Sequence, residues 1–209
     1  MITRDQFRKA AAISDALADK WYPHVIATMK EFGIDTPKRQ AYFIAQIGTE
    51  SNGFTQVKES LNYSVEGLKI FGTRLTSAQR EQLGRQPGAA SLSPDRQAAI
   101  ANLVYGGRYG NKLNGDGWKY RGRGLKQVTF RANYEACGKA LNLPLLDNPD
   151  LLLQDANAAR SAGWFWKANS CNQYADNDDL NGLTKAINGG FNGLADRRAR
   201  TQRALEVLL

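Results

Sequence analysis

Helix start signals recur along this chain, and they constrain its fold more than any other feature of the sequence. Two are capping boxes, in which a threonine precedes a glutamine by three residues, and two join a threonine or serine cap to a proline. They are Thr3-x-x-Gln6, Thr76-x-x-Gln79, Thr36-Pro37 and Ser93-Pro94. Alanine-rich segments at 130–140 and 155–168 favour helix by propensity. Because alternating strand patterns of useful length are absent, we predict a mainly α fold with little or no β-sheet.

Glycine-rich segments interrupt the helical pattern. Residues 106–124 contain seven glycines in nineteen positions, and residues 84–93 and 188–193 form two further loops. A chain of 209 residues suits one large domain. We therefore predict a single domain over residues 1–209, in which the segment at about 66–104 could form an inserted small helical subdomain.

Histidine and cysteine are scarce, which limits the available chemistry. The one histidine is His24, and neither HExxH nor CxxC occurs, so a zinc site of the usual kinds lacks its ligands. No glycine-rich loop matches the phosphate-binding patterns GxxxxGK[ST] or GxGxxG. The sequence therefore offers neither a zinc site of the usual kinds nor a phosphate-binding loop. Cys137 and Cys171 are too few for a disulfide framework, and we expect both to be buried thiols.

The net charge of +8 is spread along the chain and forms no tail. Such a charge favours anionic partners. No apolar run approaches the ~18 residues of a membrane span. The N-terminal segment has charges throughout, unlike a signal peptide, so we expect a chain made in the cytoplasm that needs another protein to release it. The basic amphipathic segment 194–209 either packs its leucine face on the domain or approaches an anionic membrane.

Glu50 is the first candidate for acid–base chemistry. It lies near the end of the helix that begins after Thr36, on one stripe with Phe43 and Ile47. A carboxyl group at the end of an apolar stripe is partly desolvated, which helps it to carry the proton that a general acid donates. Gly48 in the same helix suggests that another group packs closely there. Alternatively, Glu50 simply points to water near a helix terminus.

Glu59 is the second candidate. The segment between the two glutamates ends the helix, with Gly53 as a left-handed cap, so Glu59 could face Glu50 across a cleft. Two carboxyl groups that flank one bond are the minimum for glycoside hydrolysis, because one protonates the leaving oxygen and the other activates water or attacks the sugar. The alternative is a surface acid beside Lys58.

Residues 118–134 combine cations, aromatic rings and neutral polar groups, with no acidic side chain among residues 118–134. Trp118 and Tyr120 present rings that could stack on sugars or on bases. The neutral groups that suit sugar hydroxyl and N-acetyl recognition are Gln127, Thr129 and Asn133. The segment therefore fits a saccharide subsite or a nucleic-acid groove. The structural alternative is a glycine-rich loop that leads into a helix, with its aromatic residues in the core.

Five motifs, in the same order, resemble glycoside hydrolase family 19, the chitinase-like family, and in particular its phage endolysin branch. They are TESNGF around Glu50, ESLNYS around Glu59, YRGRGLKQVTFRANY at 120–134, SAGWFW at 161–166 and AINGGFNG at 186–193. The resemblance covers residues from about 36 to 200. It implies a bilobed, mainly helical, lysozyme-like fold with a long substrate cleft, and an enzyme that needs neither metal nor cofactor.

The resemblance also implies roles for individual residues. Glu50 matches the family's general acid, Glu59 the second carboxylate of the endolysin branch, and Thr129 the residue that holds the attacking water. Substrate-binding positions are matched by Tyr63, Trp118, Tyr120, Gln127, Asn133, Asn188 and Arg197. Three positions depart from the family pattern. Thr49 replaces the usual histidine before the acid, Ser60 replaces the asparagine that follows the second carboxylate, and Asn192 stands where chitinases often have glutamate.

By this resemblance we expect an endolysin that hydrolyses the β-1,4 bonds of bacterial peptidoglycan as a muramidase, by an inverting two-carboxylate mechanism. Its expected partners are peptidoglycan and the anionic envelope surface, which a monomeric enzyme would reach after a holin-like protein permeabilises the membrane. No nucleic-acid partner is expected, because the positive charge is spread evenly. The alternatives are a lytic transglycosylase with one essential glutamate, a chitinase, and a non-catalytic wall-binding module.

Overall fold

The structure, a computed structural model that describes all 209 residues, consists of helices and connecting segments. The α-helices are α1 (Arg4–Ala11), α2 (Asp15–Phe32), α3 (Pro37–Glu50), α4 (Ser77–Leu83), α5 (Pro94–Tyr105), α6 (Asp116–Lys119), α7 (Arg131–Leu141), α8 (Asp155–Ala168), α9 (Cys171–Asp176), α10 (Leu180–Asn188) and α11 (Leu194–Leu208). Two 3-10 helices cover Gly67–Arg74 and Pro149–Leu153. There are isolated β-bridges but no strand. The predicted mainly α fold is confirmed.

All four predicted start signals cap helices. Thr3 and Thr76 form capping boxes at the starts of α1 and α4. The side chains of Thr36 and Ser93 accept backbone hydrogen bonds at the starts of α3 and α5, and a proline follows each of them. The alanine-rich segments form most of α7 and all of α8. Local sequence chemistry therefore determines where these helices begin.

The chain forms two compact units. The first comprises Met1–Val57, Gly124–Gln127 and Asp150–Leu209, and the second comprises Lys58–Arg123 and Val128–Pro149. The segment at 66–104, considered above as an inserted subdomain, lies within the second unit, which also contains α6 and α7.

Helix α3 lies in the core of the first unit. Its residues from Gln40 to Gly48 are all buried, so the helix is enclosed on every side and not only along one stripe. Phe43 packs edge-to-face on Trp166 of α8, with ring centroids 5.3 Å apart. Helix α11 packs along α3. Gly48 permits this packing, because a Cβ atom there would lie 3.1 Å from the guanidinium of Arg200.

The second unit has a smaller core around α5. Its buried residues are Leu61, Leu68, Leu75, Leu92, Ile100, Ala101 and Val104. Aromatic rings extend this core in a chain of edge-to-face contacts. Tyr63 packs on Phe71 at 5.3 Å, Phe71 on Tyr105 at 6.3 Å, and Tyr105 on Phe130 at 5.3 Å between ring centroids. The end of α5 is therefore held among rigid rings.

Neither cysteine forms a disulfide, and both are buried, as predicted. Burial raises the pKa of the Cys171 thiol to about 12. This thiol therefore stays protonated and unreactive at neutral pH. No helix combines the length and the apolar character that crossing a membrane requires.

Candidate active site

Glu50 is the last residue of α3, and its side chain is 14% exposed. Arg197 of α11, which is 2% exposed, donates through Nη2 to Oε1 of Glu50. The Nζ atom of Lys126 lies 3.5 Å from Oε2. The carboxyl group therefore lies between two cations. This differs from the apolar surroundings that the stripe of Phe43 and Ile47 suggested, because partners from distant parts of the chain meet the end of α3.

Arg197 is bonded through all three nitrogens of its guanidinium. Besides the contact with Glu50, Nη1 donates to Oε1 of Gln46 at 2.9 Å and Nε donates to the carbonyl of Asn192 at 3.3 Å. Gln46 precedes Glu50 by one helical turn, so both side chains lie on the same face of α3. A buried charge is tolerated when it is paired and hydrogen-bonded. The same contacts fix the orientation of the Glu50 carboxyl group.

A second set of polar contacts joins the end of α3 to the start of α11. Oγ1 of Thr49 donates to Oδ2 of Asp196 at 2.7 Å, and Nε of Arg200 donates to the same oxygen at 2.9 Å. Burial alone would raise the pKa of Asp196, but these two donors hold it below its usual value. Asp196 lies in the first turn of α11, where the helix dipole favours a negative charge. The backbone beside Glu50 is thereby fixed to α11.

Lys126 and Gln127 lie on the short segment Gly124–Gln127 of the first unit. The ammonium group of Lys126 is 4.6 Å from the ring centroid of Phe165, within the range of a cation–π interaction. Gln127 has a left-handed backbone, with φ of 63°, and its Nε2 donates to the carbonyl of Gly124 at 2.9 Å. The segment Gly124–Gln127 thus supplies the second cation beside Glu50.

Asn188, another predicted substrate-binding residue, is the last residue of α10 and is exposed.

Glu59 belongs to the second unit and has different partners. Its backbone N–H donates to the carbonyl of Gly122 at 2.9 Å, and the N–H of Gly122 donates to Oε2 of Glu59 at 2.9 Å. The hydroxyl of Tyr105, the last residue of α5, donates to Oε1. Each carboxyl oxygen therefore accepts a hydrogen bond from a neutral donor.

Three aromatic residues that were predicted to bind substrate differ in their exposure. Tyr63 is half-buried, and burial together with the charge of Glu59 raises its pKa. Trp118 is half-buried, and the guanidinium carbon of Arg121 lies over its ring, 3.6 Å from the centroid. Tyr120 is only 2% exposed, and its hydroxyl donates to a backbone carbonyl at 3.0 Å. The side chain of Tyr120 therefore lies in the interior of the second unit.

Thr129 and Asn133 flank the start of α7. The side-chain amide of Asn133 donates to the carbonyl of Thr129 at 2.9 Å. Between them, Phe130 has a positive φ of 75°, which is strained for a residue with a side chain. The ring of Phe130 packs on Tyr105, the residue that binds Glu59. Thr129 therefore directly precedes Phe130, which packs on the tyrosine that binds Glu59.

The predicted site residues thus fall into two sets. The first unit brings Glu50 and Arg197 into direct contact, and the second unit groups Glu59 with Tyr63 and the segment around Thr129. The sequence reasoning missed Gln46 and Tyr105. Spacing along α3 could have indicated Gln46, but Tyr105 lies 46 residues from Glu59 and no local pattern joins them. No group of three or more histidine, cysteine, aspartate or glutamate side chains is arranged to hold a metal ion.

Known proteins are similar to this chain in sequence. The family model for Chitinase class I matches residues 96–192. A protein of Haemophilus influenzae described as "Glycosyl hydrolase family 19 domain-containing protein" is 37% identical over 210 residues, which cover 93% of this chain and 96% of that protein. An acidic endochitinase of Petunia hybrida is 31% identical over 141 residues, which cover 58% of this chain and 54% of the plant protein.

Solved structures share the fold. The crystal structure of chitinase C from Streptomyces griseus HUT6037 matches with a TM-score of 0.62 and 21% sequence identity, over 99% of this chain and 76% of that chain. At this level of identity, the similarity shows that the two chains have the same helical architecture.

Proposed function

The chain belongs to glycosyl hydrolase family 19, and we propose that it is an endolysin that cleaves the β-1,4 bonds of bacterial peptidoglycan as a muramidase. Membership of the family makes it an enzyme that hydrolyses glycosidic bonds. The observation that supports a catalytic site most directly is the Glu50 carboxyl group, which Arg197 holds at the end of a buried helix. The bond we propose is the one from N-acetylmuramic acid to N-acetylglucosamine.

Glu50 acts in this proposal as the general acid. Arg197 holds Oε1, while Lys126 lies farther from Oε2, at 3.5 Å. We propose that Oε2, which has the longer contact, is the oxygen from which a proton passes to O4 of the leaving sugar as the C1–O4 bond breaks. General acid–base catalysis of this kind contributes about 10²–10⁴-fold to the rate.

Glu59 acts as the general base. An ionised carboxylate only accepts hydrogen bonds, and both of its oxygens meet donors here. Glu59 takes a proton from a water molecule whose oxygen forms the new bond to C1, and the Thr129 hydroxyl orients that water. The water attacks the face opposite to the leaving group, so the configuration at C1 inverts. The two products together contain the atoms of one added water.

The net charge of +8 supports an anionic substrate. Peptidoglycan stems and envelope lipids carry negative charge, and long-range attraction raises the rate of encounter with them. We propose that the enzyme acts as a monomer on the cell wall, with no nucleic-acid partner and no cofactor. A holin-like protein would give it access by permeabilising the membrane.

Chitin is the second candidate substrate. The match to the Petunia hybrida protein, described as an acidic endochitinase, favours it. Both polymers are β-1,4-linked glycans with N-acetyl groups, so the same two carboxyl groups could serve either one. Incubation with chitin oligosaccharides, in parallel with peptidoglycan, separates the two candidates by the ratio of their kcat/KM values.

The decisive experiment is the digestion of purified peptidoglycan in ¹⁸O water, followed by mass spectrometry of the products. We expect reducing N-acetylmuramic acid ends that carry the label. Anhydro ends would indicate a transglycosylase, cleaved peptide bonds would indicate an amidase or peptidase, and an absence of products would indicate a binding module. NMR of fresh products should show the α anomer, since a β bond is hydrolysed with inversion.

Variants of single glutamates provide the control for this digestion. Glu50→Gln should give no labelled ends above background. Glu81→Gln makes the same chemical change at an exposed position of α4 and should retain wild-type product yields. Equal loss in both variants would show that the effect at Glu50 is not specific.

Access to the wall can be tested in bacterial cells. Expression of the chain alone should leave the optical density of the culture unchanged, because the intact membrane separates enzyme and substrate. Addition of chloroform should then cause rapid lysis of the cells that contain the wild-type chain, but not of those that contain Glu50→Gln. Lysis before any permeabilisation would contradict the proposed need for a holin-like protein.

A further inference from the structure

Tyr105 forms a hydrogen bond with Glu59, the proposed base. Its hydroxyl donates to Oε1 of Glu59, while the N–H of Gly122 donates to Oε2 at 2.9 Å. The terminal torsion of a glutamate side chain is broad and weakly constrained. One donor on each oxygen therefore defines the plane of the carboxyl group, and Tyr105 supplies the donor that comes from a side chain.

The surroundings of Tyr105 hold its hydroxyl in place. Its ring packs edge-to-face on Phe71 and Phe130, with centroids 6.3 and 5.3 Å away. Its backbone carbonyl, at the end of α5, accepts a hydrogen bond from Nδ2 of Asn111 at 3.0 Å. Rings on two sides and a fixed backbone restrict the rotamers of Tyr105, so the position of its hydroxyl oxygen is largely determined before substrate binds.

The hydroxyl of Tyr105 also remains a donor over the working pH range. Burial raises its pKa well above the usual value, and the neighbouring charge of Glu59 and the hydrogen bond to it act in the same direction. A hydroxyl that stays protonated matches an ionised carboxylate, which only accepts. The protonated phenol of Tyr105 is thus suited to holding the base in its ionised, reactive form.

We propose that Tyr105 is the positioning residue of the catalytic base, which keeps the Glu59 carboxylate in the plane and orientation from which it takes a proton from water. The inference rests on the proposed role of Glu59. Tyr105 acts through Glu59 and needs no contact with the sugar. Its removal should therefore slow the chemical step and leave substrate binding nearly unchanged.

Other charged and titratable groups near Glu59 and Tyr105 also influence the pH dependence of the activity. Tyr63 and Tyr134 both sense the charge of Glu59, and Arg74 acts on Tyr105. Arg123 donates to the hydroxyl of Tyr134 at 2.9 Å. All of these side chains are unchanged in a Tyr105→Phe variant, so a shift in its pH profile reports on the lost hydroxyl.

The test compares the full-length wild type with Tyr105→Phe on soluble peptidoglycan fragments. We expect kcat to fall about 10-fold, as for one lost hydrogen bond to a charged group, with KM within about twofold of wild type. The acid limb of the kcat/KM profile should move to higher pH, because the base has lost a donor that matches its ionised form. Incorporation of 3-fluorotyrosine at position 105 keeps the hydroxyl and should restore kcat.

Tyr22→Phe is the matched control. It removes a hydroxyl that donates to the carbonyl of Ile2 at 2.9 Å in the first unit, away from the contacts of Glu50 and Glu59. Its kcat, KM and pH profile should equal those of the wild type. Thermal unfolding of each variant identifies any loss of activity that comes from misfolding. The variant with 3-fluorotyrosine at position 105 then measures kcat with the hydroxyl still present.

Glu59→Gln separates failure of this inference from failure of the proposed function. If Glu59→Gln retains more than a tenth of wild-type kcat, Glu59 is not the base and both statements fall. If Glu59→Gln is inactive but Tyr105→Phe has the kcat and pH profile of the wild type, the positioning role alone is overturned. A rise in KM with unchanged kcat would also overturn it, because Tyr105 would then act on substrate binding.

Discussion

Glu50 and Glu59 are both half-buried glutamates, yet their carboxyl groups are held by different chemistry. In the first unit, Glu50 lies between the guanidinium of Arg197 and the ammonium of Lys126. In the second unit, the donors to Glu59 are the hydroxyl of Tyr105 and the N–H of Gly122, which carry no charge. The substitution of glutamate by glutamine is therefore a different perturbation in the two units.

The largest expected effect is on activity, and it should be similar at both positions. Glu50→Gln removes the proposed proton donor and Glu59→Gln the proposed base, so each should lower kcat by about 10²–10⁴-fold. The measurement is the release of reducing ends from peptidoglycan. A Glu59→Gln enzyme with near-wild-type activity beside an inactive Glu50→Gln enzyme would contradict catalysis by two carboxyl groups and favour a transglycosylase.

The next effect concerns the stability of the charged pair in the first unit. Arg197→Met removes one partner of a pair whose side chains are 2% and 14% exposed, and it also removes the donor to Oε1 of Gln46. We expect the free energy of unfolding to fall by about 3–5 kcal/mol, as for other broken buried pairs. Urea unfolding followed by circular dichroism measures it.

Arg198→Met is the control for that measurement, because Arg198 is an exposed neighbour on the same helix. It should change the free energy of unfolding by less than about 0.5 kcal/mol. Equal effects at positions 197 and 198 would show that the contact with Glu50 contributes nothing specific.

The contrast between charged and neutral partners should also appear in the stability of the two glutamine variants. Glu50→Gln leaves the Arg197 guanidinium without its counter-ion, so we expect a loss of about 1–3 kcal/mol. Glu59→Gln should stay within about 0.5 kcal/mol of wild type. The amide oxygen can still accept from Gly122, and its nitrogen can donate to the Tyr105 oxygen. Equal losses in both variants would contradict the distinction between the two units.

The smallest effect is expected at Lys126. Its Nζ lies 3.5 Å from Oε2 of Glu50, longer than the roughly 2.7–2.9 Å of a charge-assisted hydrogen bond. Lys126→Met keeps the apolar stem against Phe165 and should lower the free energy of unfolding by about 1 kcal/mol or less. A loss as large as that of Arg197→Met would show that the two cations share the task of holding Glu50.

Helix starts could be read directly from the sequence because their causes are local. The Thr3 and Thr76 boxes and the Thr36-Pro37 signal involve atoms within three residues of each other, and each forms as predicted. Glu50 was placed correctly at the end of α3 for the same reason. Its cations could not be foreseen in this way, because α11 approaches Glu50 only in the folded chain.

The features of the candidate site that the sequence did not predict depend on residues that are distant from one another in the chain. Arg197 was matched to a substrate-binding position, and the structure shows it buried against Glu50. Tyr120 was expected to stack on a sugar, but its side chain is buried and its hydroxyl is bonded to a backbone carbonyl. An aromatic residue beside glycines and cations has the same local pattern in a core as at a surface. Only the packing of the second unit distinguishes the two.

The pairing of Glu50 with Arg197 has a consequence for the timing of synthesis. The two residues are 147 positions apart, so the ribosome adds the intervening chain in roughly 7–30 s at about 5–20 residues per second. During that interval, the emerging helix α3 carries a carboxyl group whose guanidinium partner does not yet exist. The first unit therefore acquires its charged pair late, and a chain interrupted before residue 197 would lack it.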